Sequence, residues 1–312
     1  MQSTEQTDVR EALNERGGFH AWWRLLRPHT LTASFVPVFV GTMYASFTNS
    51  IDWILFAAMM VASLLIQSAT NMFNEYYDFV RGLDTQDSVG ISGSIVRDGM
   101  KPKTILNSAL IFFGLALLLG VYISASSSWW IAIIGLICMA FGYLYTGGPL
   151  PIAYTPLGEV FSGILMGSVI IGISFFIQTG VVTWDVVLIS LPVTILIGSL
   201  NLSNNIRDRE GDKIGGRKTL AILLGHERAI TLMAAAFIVA YGLTILYIVI
   251  GLLPIESLIT LISAVKAREV IKGFRGKTTP LQMMPAMIAT GKTNTFYGLL
   301  LSVSLLIHTI LS

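Results

Sequence analysis

Two polar passages in this chain, residues 71–84 and residues 201–212, combine amide and carboxylate side chains at helical spacing. Residues three or four positions apart share one face of an α-helix, so each passage presents a polar stripe. Glycines late in both passages allow the last carboxylates to turn inward just beyond regular helix. The stripes comprise Asn71, Asn74 and Asp78 in the first passage, which Asp84 follows, and Asn204, Asp208 and Asp212 in the second.

The side-chain oxygens of these stripes are suited to Mg²⁺. This ion prefers oxygen ligands, retains several waters and is commonly held by one or two carboxylates together with substrate phosphates. A zinc site would call for clustered cysteine or histidine ligands, which the passages lack. The candidate metal ligands are therefore Asn74, Asp78, Asp84, Asn204, Asp208 and Asp212, and the four aspartates among them are also the candidate catalytic residues.

Basic residues surround the acidic groups, and this mixture suits a site that holds a metal ion and a diphosphate together. The candidates for diphosphate binding are Arg81, Arg207, Lys213 and Lys218. An alternative interpretation is that the passages are ordinary helix ends at the membrane surface, with solvated charges and amides bonded between helices. The matching design of the two passages favours the metal site.

The elements that carry the stripes are predicted to be transmembrane helices. Hydrophobic residues make up 54% of the 312-residue chain and charged residues only 12%, against roughly 25% charged residues in soluble domains. Apolar runs of roughly 20 residues recur along the chain, as expected for membrane-spanning helices. We predict about nine spans in one membrane domain, residues 19–312, preceded by a polar tail, residues 1–18. The spans are Leu31–Phe47, Trp53–Tyr77, Thr104–Ser124, Trp129–Tyr145, Leu157–Thr179, Trp184–Ile206, Ala229–Ile250, Ile255–Val265 and Thr293–Ile310.

The distribution of basic residues predicts the orientation of these spans. Every Lys and Arg lies in the tail or in the connections after the second, sixth and eighth spans, which all fall on one side. Cytoplasmic connections are enriched in Lys and Arg. We therefore expect a multi-pass protein of the cell membrane with a cytoplasmic N-terminus, a C-terminus on the opposite face, and both polar passages at the cytoplasmic side.

The paired passages resemble the signature of the UbiA superfamily of intramembrane aromatic prenyltransferases. The resemblance spans almost the whole chain, with Asn-x3-Asp-x5-Asp in the first passage and Asn-x3-Asp-x3-Asp in the second. Glu75 departs from the aspartate often found at that position, which puts a direct metal role for it in doubt. The resemblance implies an all-α membrane fold, with about nine helices around a central cavity beneath a cytoplasmic cap.

Further segments look most like the branch of this family that prenylates 1,4-dihydroxy-2-naphthoate. They are residues 27–31, 143–149, 157–159 and 216–220. This likeness implies transfer of a polyprenyl group from polyprenyl diphosphate, with loss of CO₂ and diphosphate, to give demethylmenaquinone. It also implies a Mg²⁺ cofactor and a lipid bilayer around the polyprenyl tail. Tyr145, Tyr154 and Glu159 are candidates for contact with the aromatic acceptor, and no nucleic-acid partner is expected.

Three alternatives stay open at the level of sequence. Another aromatic acceptor, such as 4-hydroxybenzoate or homogentisate, would suit the same motifs. A cation-coupled transporter would place Asp78 and Asp208 on an ion pathway, although transport sites usually lie near the bilayer midplane rather than at one face. A noncatalytic scaffold would leave the paired metal-ligand pattern without a purpose.

Overall fold

The computed structural model describes residues 18–84 and 93–312, and within these residues all regular secondary structure is helical. Of the predicted polar tail, residues 1–17 lie outside the described residues. The α-helices are α1 (Phe19–Leu26), α2 (Pro28–Ala45), α3 (Trp53–Val80), α4 (Pro102–Ser126), α5 (Trp129–Leu144), α6 (Gly158–Thr179), α7 (Trp184–Ile214), α8 (Leu220–Leu224), α9 (His226–Val249), α10 (Ala264–Phe274) and α11 (Pro280–Leu311).

Six of the helices in the described part of the chain are long and apolar enough to cross a bilayer, namely α3, α4, α6, α7, α9 and α11. A further apolar helix, α5, has 16 residues. The 18-residue helix α2 carries several hydroxyl-bearing residues and Pro37, and it lies in the protein interior along most of its length. The multi-pass membrane architecture is thus confirmed, whereas the count of nine spans stays a prediction.

The predicted eighth span forms a composite helix. A 3₁₀ segment, Ile255–Ser263, leads directly into the amphipathic helix α10. Its inner face carries Ser257, Thr260 and Ser263, and Ser257 forms a hydrogen bond with Ser304 of α11. The hydroxyls of Thr260 and Ser263 donate to backbone carbonyls of the same segment, and Ser263 also bonds Tyr241 of α9, which explains why a polar-striped segment packs inside an apolar bundle.

Close helix contacts depend on small residues. A Cβ atom added to Gly41 of α2 would lie 2.4 Å from the carbonyl oxygen of Ile171, and one added to Gly298 of α11 would lie 2.0 Å from Cγ1 of Val36. A Cβ atom added to Gly167 of α6 would lie 2.5 Å from Oγ1 of Thr194 on α7. Gly167 belongs to a π-helical turn of α6, Ile164–Val169. Such contacts bring backbones together where the surrounding lipid provides no hydrophobic driving force.

The helices that carry the two polar passages, α3 and α7, are longer than the hydrocarbon core of a bilayer. They contain 28 and 31 residues, which at 1.5 Å per residue gives lengths of about 42 and 46 Å, against a hydrocarbon core of about 30 Å. Asp52 caps the start of α3 by accepting hydrogen bonds from the backbone of Ile54 and Leu55. Each helix is therefore long enough for its polar passage to lie outside the hydrocarbon core.

Candidate active site

The two polar passages face one cavity of about 850 Å³ between the helices. Asparagine and aspartate side chains from both passages line its polar end. Apolar and small side chains of α3, α4, α5 and α6 line the remainder, including Gly135 and Met139. The structure brings all six predicted metal ligands to this cavity, namely Asn74, Asp78, Asp84, Asn204, Asp208 and Asp212.

The first passage is organised by Arg27, which lies between α1 and α2. Its Nη2 donates a hydrogen bond of 2.8 Å to Oδ1 of Asn74 and lies 3.8 Å from Oε2 of Glu75. Arg27 has φ +51°, in the left-handed region, and precedes a proline. Such a conformation costs about 1–3 kcal/mol for a residue other than glycine, and it concentrates at functional sites. Arg27 thus holds Asn74 at the cavity wall at a conformational cost.

Glu75 is fully buried and does not line the cavity. Its carboxylate accepts hydrogen bonds from the backbone N–H groups of Gly93, at 2.9 and 3.2 Å, and Ile95, at 3.2 Å. It therefore fastens the segment that precedes α4 to the side of α3. This geometry accounts for the carboxylate without a metal ion.

Arg217 joins the two passages. Its Nη2 lies 2.5 Å from Oδ1 of Asp78 on α3, and its Nη1 lies 2.9 Å from Oδ1 of Asp212 on α7. Burial opposes its positive charge, yet the carboxylates of Asp78 and Asp212 outweigh that effect and raise the pKa of Arg217 above its usual value. The guanidinium therefore remains charged and neutralises part of the acidic site.

The second passage contains a similar pair. Arg207 donates from Nε, at 2.7 Å, and from Nη2, at 2.5 Å, to the two oxygens of Asp208. The Arg207 side chain is buried against the sulfur of Met287, whereas that of Asp208 is 35% exposed. The two hydrogen bonds from Arg207 thus fix the orientation of the Asp208 carboxylate at the cavity.

Two carboxylates at the polar end, those of Asp84 and Asp212, are in environments that disfavour their negative charge. Burial, followed by the negative charges of Asp78 and Glu75, raises the pKa of Asp84 to about 7. Oδ2 of Asp212 is buried and has no hydrogen-bond partner among the described residues. A buried, unpartnered carboxylate oxygen is unfavourable unless a cation or another donor satisfies it.

This arrangement fits a magnesium ion better than a metal that needs a complete protein cage. Among the described residues, no three His, Cys, Asp or Glu side chains are grouped closely enough to form a metal site. The oxygens on offer come instead from a few carboxylates with neighbouring amides. That donor set suits Mg²⁺, which takes its remaining ligands from water and phosphate.

The candidate acceptor residues lie on the α5–α7 side of the cavity. The hydroxyl of Tyr145 accepts a 2.6 Å hydrogen bond from Nδ2 of Asn201, and both residues line the cavity. Glu159 is buried behind this wall, where its Oε1 accepts a 2.8 Å hydrogen bond from Nδ2 of Asn205. Glu159 therefore orients a cavity-lining amide rather than lining the cavity itself.

The other predicted substrate residues, apart from Arg207, do not line the cavity. Arg81 donates to the carbonyl oxygens of Thr146 and Gly148, so it ties the end of α3 to the turn after α5. The Tyr154 ring lies between cations, with the guanidinium carbons of Arg81 and Arg217 at 5.4 and 5.2 Å from its centroid. Two exposed lysines do not line the cavity: Lys213 belongs to the last turn of α7, and Lys218 belongs to the connection after it.

Sequence reasoning did not select Arg27 or Arg217 as site residues, although both line the cavity and bond to predicted metal ligands. Arg217 belongs to the segment 216–220 that supports the family resemblance, but nothing in the sequence separates it from the neighbouring Lys218. Arg27 belongs to the segment 27–31 that supports the family resemblance, and its position before a proline was the signal available.

Comparisons with known proteins agree with this geometry. The model of the UbiA prenyltransferase family matches residues 34–279. The chain is 57% identical to the 1,4-dihydroxy-2-naphthoate octaprenyltransferase of Bacillus subtilis over 307 residues, covering 98% of this chain and 99% of the relative. It is 27% identical to the Mycobacterium tuberculosis protein of the same name, covering 88% of this chain and 92% of that relative.

Solved structures support the fold. A UbiA homologue from Archaeoglobus fulgidus, solved with GPP and Mg²⁺, superposes with a TM-score of 0.64 at 18% identity and covers 90% of this chain and 99% of its own. An apo UbiA homologue from Aeropyrum pernix K1 gives a TM-score of 0.61 at 14% identity, with coverage of 90% and 98%. The family match, the full-length relative and the shared fold together show that the chain belongs to the UbiA prenyltransferase family.

Proposed function

We propose that the protein transfers a polyprenyl group from polyprenyl diphosphate to 1,4-dihydroxy-2-naphthoate, with release of diphosphate and CO₂. The product is demethylmenaquinone in its reduced form. The observation that carries this proposal is the single cavity that joins both Asn/Asp passages to a long apolar lining. The identity of 57% over the full length of a relative named for this reaction supports the choice of acceptor.

The cavity suits a substrate with two unlike ends. A polyprenyl tail is stabilised against apolar helix faces, whereas its diphosphate requires cations and hydrogen-bond donors. Arg27, Arg207 and Arg217 supply positive charge at the polar end, and exposed Lys213 and Lys218 attract the diphosphate from solution. Arg81 holds the turn that carries Tyr145, and it thereby positions the acceptor wall.

The six motif residues are the proposed ligands of Mg²⁺, namely Asn74, Asp78, Asp84, Asn204, Asp208 and Asp212. When bound, the ion supplies positive charge that stabilises the departing diphosphate. The unpartnered Oδ2 of Asp212 supports this assignment. Asp78, Asp84, Asp208 and Asp212 make the principal contribution, because a charged oxygen binds the ion more strongly than an amide oxygen does.

The reaction divides into two steps. Heterolysis of the C–O bond leaves an allylic carbocation, and the bonding electron pair departs with the diphosphate. The carbon of dihydroxynaphthoate that bears the carboxylate then attacks the cation, and loss of CO₂ returns an electron pair to the ring and restores its aromaticity. The apolar wall excludes water that would otherwise capture the cation. Tyr145 and Asn201 orient the acceptor beside the allylic carbon.

A product assay tests this function. The full chain, purified into lipid nanodiscs, is supplied with Mg²⁺, polyprenyl diphosphates of several lengths, and a panel containing dihydroxynaphthoate, 4-hydroxybenzoate and homogentisate. We expect mass spectrometry to find a decarboxylated, prenylated naphthalene product. Prenylation of 4-hydroxybenzoate but not of dihydroxynaphthoate would overturn the assignment of the acceptor. Cation flux across vesicles without any prenylated product would favour a transporter.

We further propose that the domain spanning residues 19–312 lies in the cell membrane with the polar end of the cavity at the cytoplasmic face. The one-sided placement of Lys and Arg supports this orientation. A cytoplasmic opening would give the diphosphate and the water-soluble acceptor access from the cytosol, while the polyprenyl tail remains in the lipid.

A further inference from the structure

A single guanidinium links the two halves of the proposed metal site. Arg217 contacts Asp78 from the first passage at 2.5 Å and Asp212 from the second passage at 2.9 Å. All three side chains are close to buried, with exposed fractions of 12% for Arg217, 12% for Asp78 and 9% for Asp212. The positive charge therefore lies between the carboxylates that the proposed function assigns to a divalent cation.

The Arg217 backbone is anchored, so that only its side chain is placed to move. The N–H of Arg217 donates to the carbonyl of Asp212 at 2.9 Å, and the N–H of Lys218 donates to the carbonyl of Tyr154 at 2.9 Å. The guanidinium also lies over the Tyr154 ring, 5.2 Å from its centroid. This cation–π contact stabilises the guanidinium independently of the carboxylates. Rotation of the side chain can release both aspartates without a shift of the loop.

A divalent cation and the guanidinium compete for the same oxygens. Two positive charges at one carboxylate pair repel each other, and each carboxylate has a limited set of lone pairs. Oδ2 of Asp212 has no hydrogen-bond partner among the described residues, so this acceptor, which the guanidinium does not satisfy, is left for a cation. Arrival of an anion would then offer the displaced guanidinium a new partner with several acceptor oxygens.

We propose that Arg217 is the internal counterion of the unloaded site, and that it transfers to the diphosphate when a divalent cation takes Asp78 and Asp212. The inference rests on the proposed function, because it requires both a divalent cation and a diphosphate. It follows that Arg217 weakens binding of the cation alone and strengthens binding of the anion. The site thus favours the complete metal–diphosphate substrate over the metal alone.

Two binding measurements test this role without turnover. Mn²⁺, used as a paramagnetic probe of the divalent site, is titrated into the full chain in nanodiscs and followed by electron paramagnetic resonance. Radiolabelled inorganic pyrophosphate is titrated separately at a fixed free Mg²⁺ concentration. For Arg217→Gln we expect Mn²⁺ affinity to rise about tenfold and pyrophosphate affinity to fall about tenfold, within the usual range of coupling between sites.

A rise in Mn²⁺ affinity together with a fall in pyrophosphate affinity distinguishes a counterion from a structural residue, because structural damage lowers both affinities. Arg209→Gln is the matched control. It removes one positive charge from the same end of α7, where Arg209 pairs with Glu210 rather than with either passage's aspartates. Both affinities should stay within about twofold of the parent, as expected for an exposed pair. An unchanged or weaker Mn²⁺ affinity in Arg217→Gln overturns the proposal.

Arg217→Lys keeps the proposal testable if the glutamine variant does not fold. A single ammonium lacks the fork that bonds both aspartates, so Mn²⁺ affinity should rise while pyrophosphate affinity is largely kept. An Mn²⁺ affinity in Arg217→Lys that does not exceed the parent's would contradict the proposal. Absence of Mn²⁺ binding in the parent would instead refute the divalent site itself. Parent binding that Asp208→Asn abolishes, together with no gain in the Arg217 variants, would refute only the role of Arg217.

Discussion

Neutralising one carboxylate in each passage tests the two-passage mechanism most directly. The variants are Asp78→Asn and Asp208→Asn, which nearly preserve side-chain size. In each variant the amide oxygen can still accept a hydrogen bond from the neighbouring arginine, and Asp212 continues to hold Arg217. The hydrogen bond weakens from a charged to a neutral one, which corresponds to a loss of about 1 kcal/mol in the free energy of unfolding.

The expected loss of activity is much larger. Removing a charged ligand from a metal that stabilises the leaving diphosphate should reduce turnover by at least ~10²-fold, or about 2.7 kcal/mol of transition-state stabilisation. The Mg²⁺ concentration needed for half-maximal turnover should also rise. A stability loss of about 1 kcal/mol does not account for such a change in a sample that remains folded.

The assay is polyprenyl transfer in lipid, measured by mass spectrometry across a Mg²⁺ titration, with variants matched to the parent in folded yield. Asp52→Asn is the control, because it makes the same substitution at the opposite end of α3. Asp52 caps the helix there, and asparagine caps about equally well, so activity should stay at the parental level. Near-parental turnover with unchanged Mg²⁺ dependence in both Asp78→Asn and Asp208→Asn would refute the mechanism.

Three further predictions address the fastening of the site, the helix packing and the topology. Glu75→Ala leaves two buried N–H groups without a partner, so it should lower the free energy of unfolding by about 2–6 kcal/mol. Glu75→Gln should lower it by less. Equal thermal stability of Glu75→Ala and the parent would contradict the fastening role. Gly41→Ala should lower the free energy of unfolding by about 1–3 kcal/mol, because the added methyl group meets a neighbouring backbone. Gly172→Ala, whose methyl group meets open space, should leave the thermal stability unchanged. Equal effects of the two substitutions would contradict the close contact at Gly41. In a background without the native cysteine, a cysteine at Lys213 should react with a membrane-impermeant reagent from the cytoplasmic side and one at Ser127 from the other, and the reverse would overturn the proposed orientation.

Local pattern was sufficient to predict the membrane class and the two acidic passages. Runs of apolar residues long enough to cross the bilayer recur along the chain, and each can be recognised locally because a membrane helix satisfies its backbone polar groups within its own segment. Asn71, Asn74 and Asp78, like Asn204, Asp208 and Asp212 in α7, repeat at helical spacing, so each set shares one face by the geometry of a single helix. The structure places all six predicted metal ligands along one cavity.

Only the tertiary structure decided which of the neighbouring charged residues contact the aspartates of the site. Arg209, Lys213, Arg217 and Lys218 look alike in the sequence, yet the fold directs Arg217 to both passages and leaves the two lysines in solvent. The carboxylate of Glu75 turns away from the cavity toward backbone N–H groups 18 and 20 residues further along the chain. These assignments depend on contacts between segments distant in sequence, which helical periodicity does not encode. The sequence by itself determined where the acidic oxygens gather, and the packing of α3 against the loop after α7 determined which cation holds them.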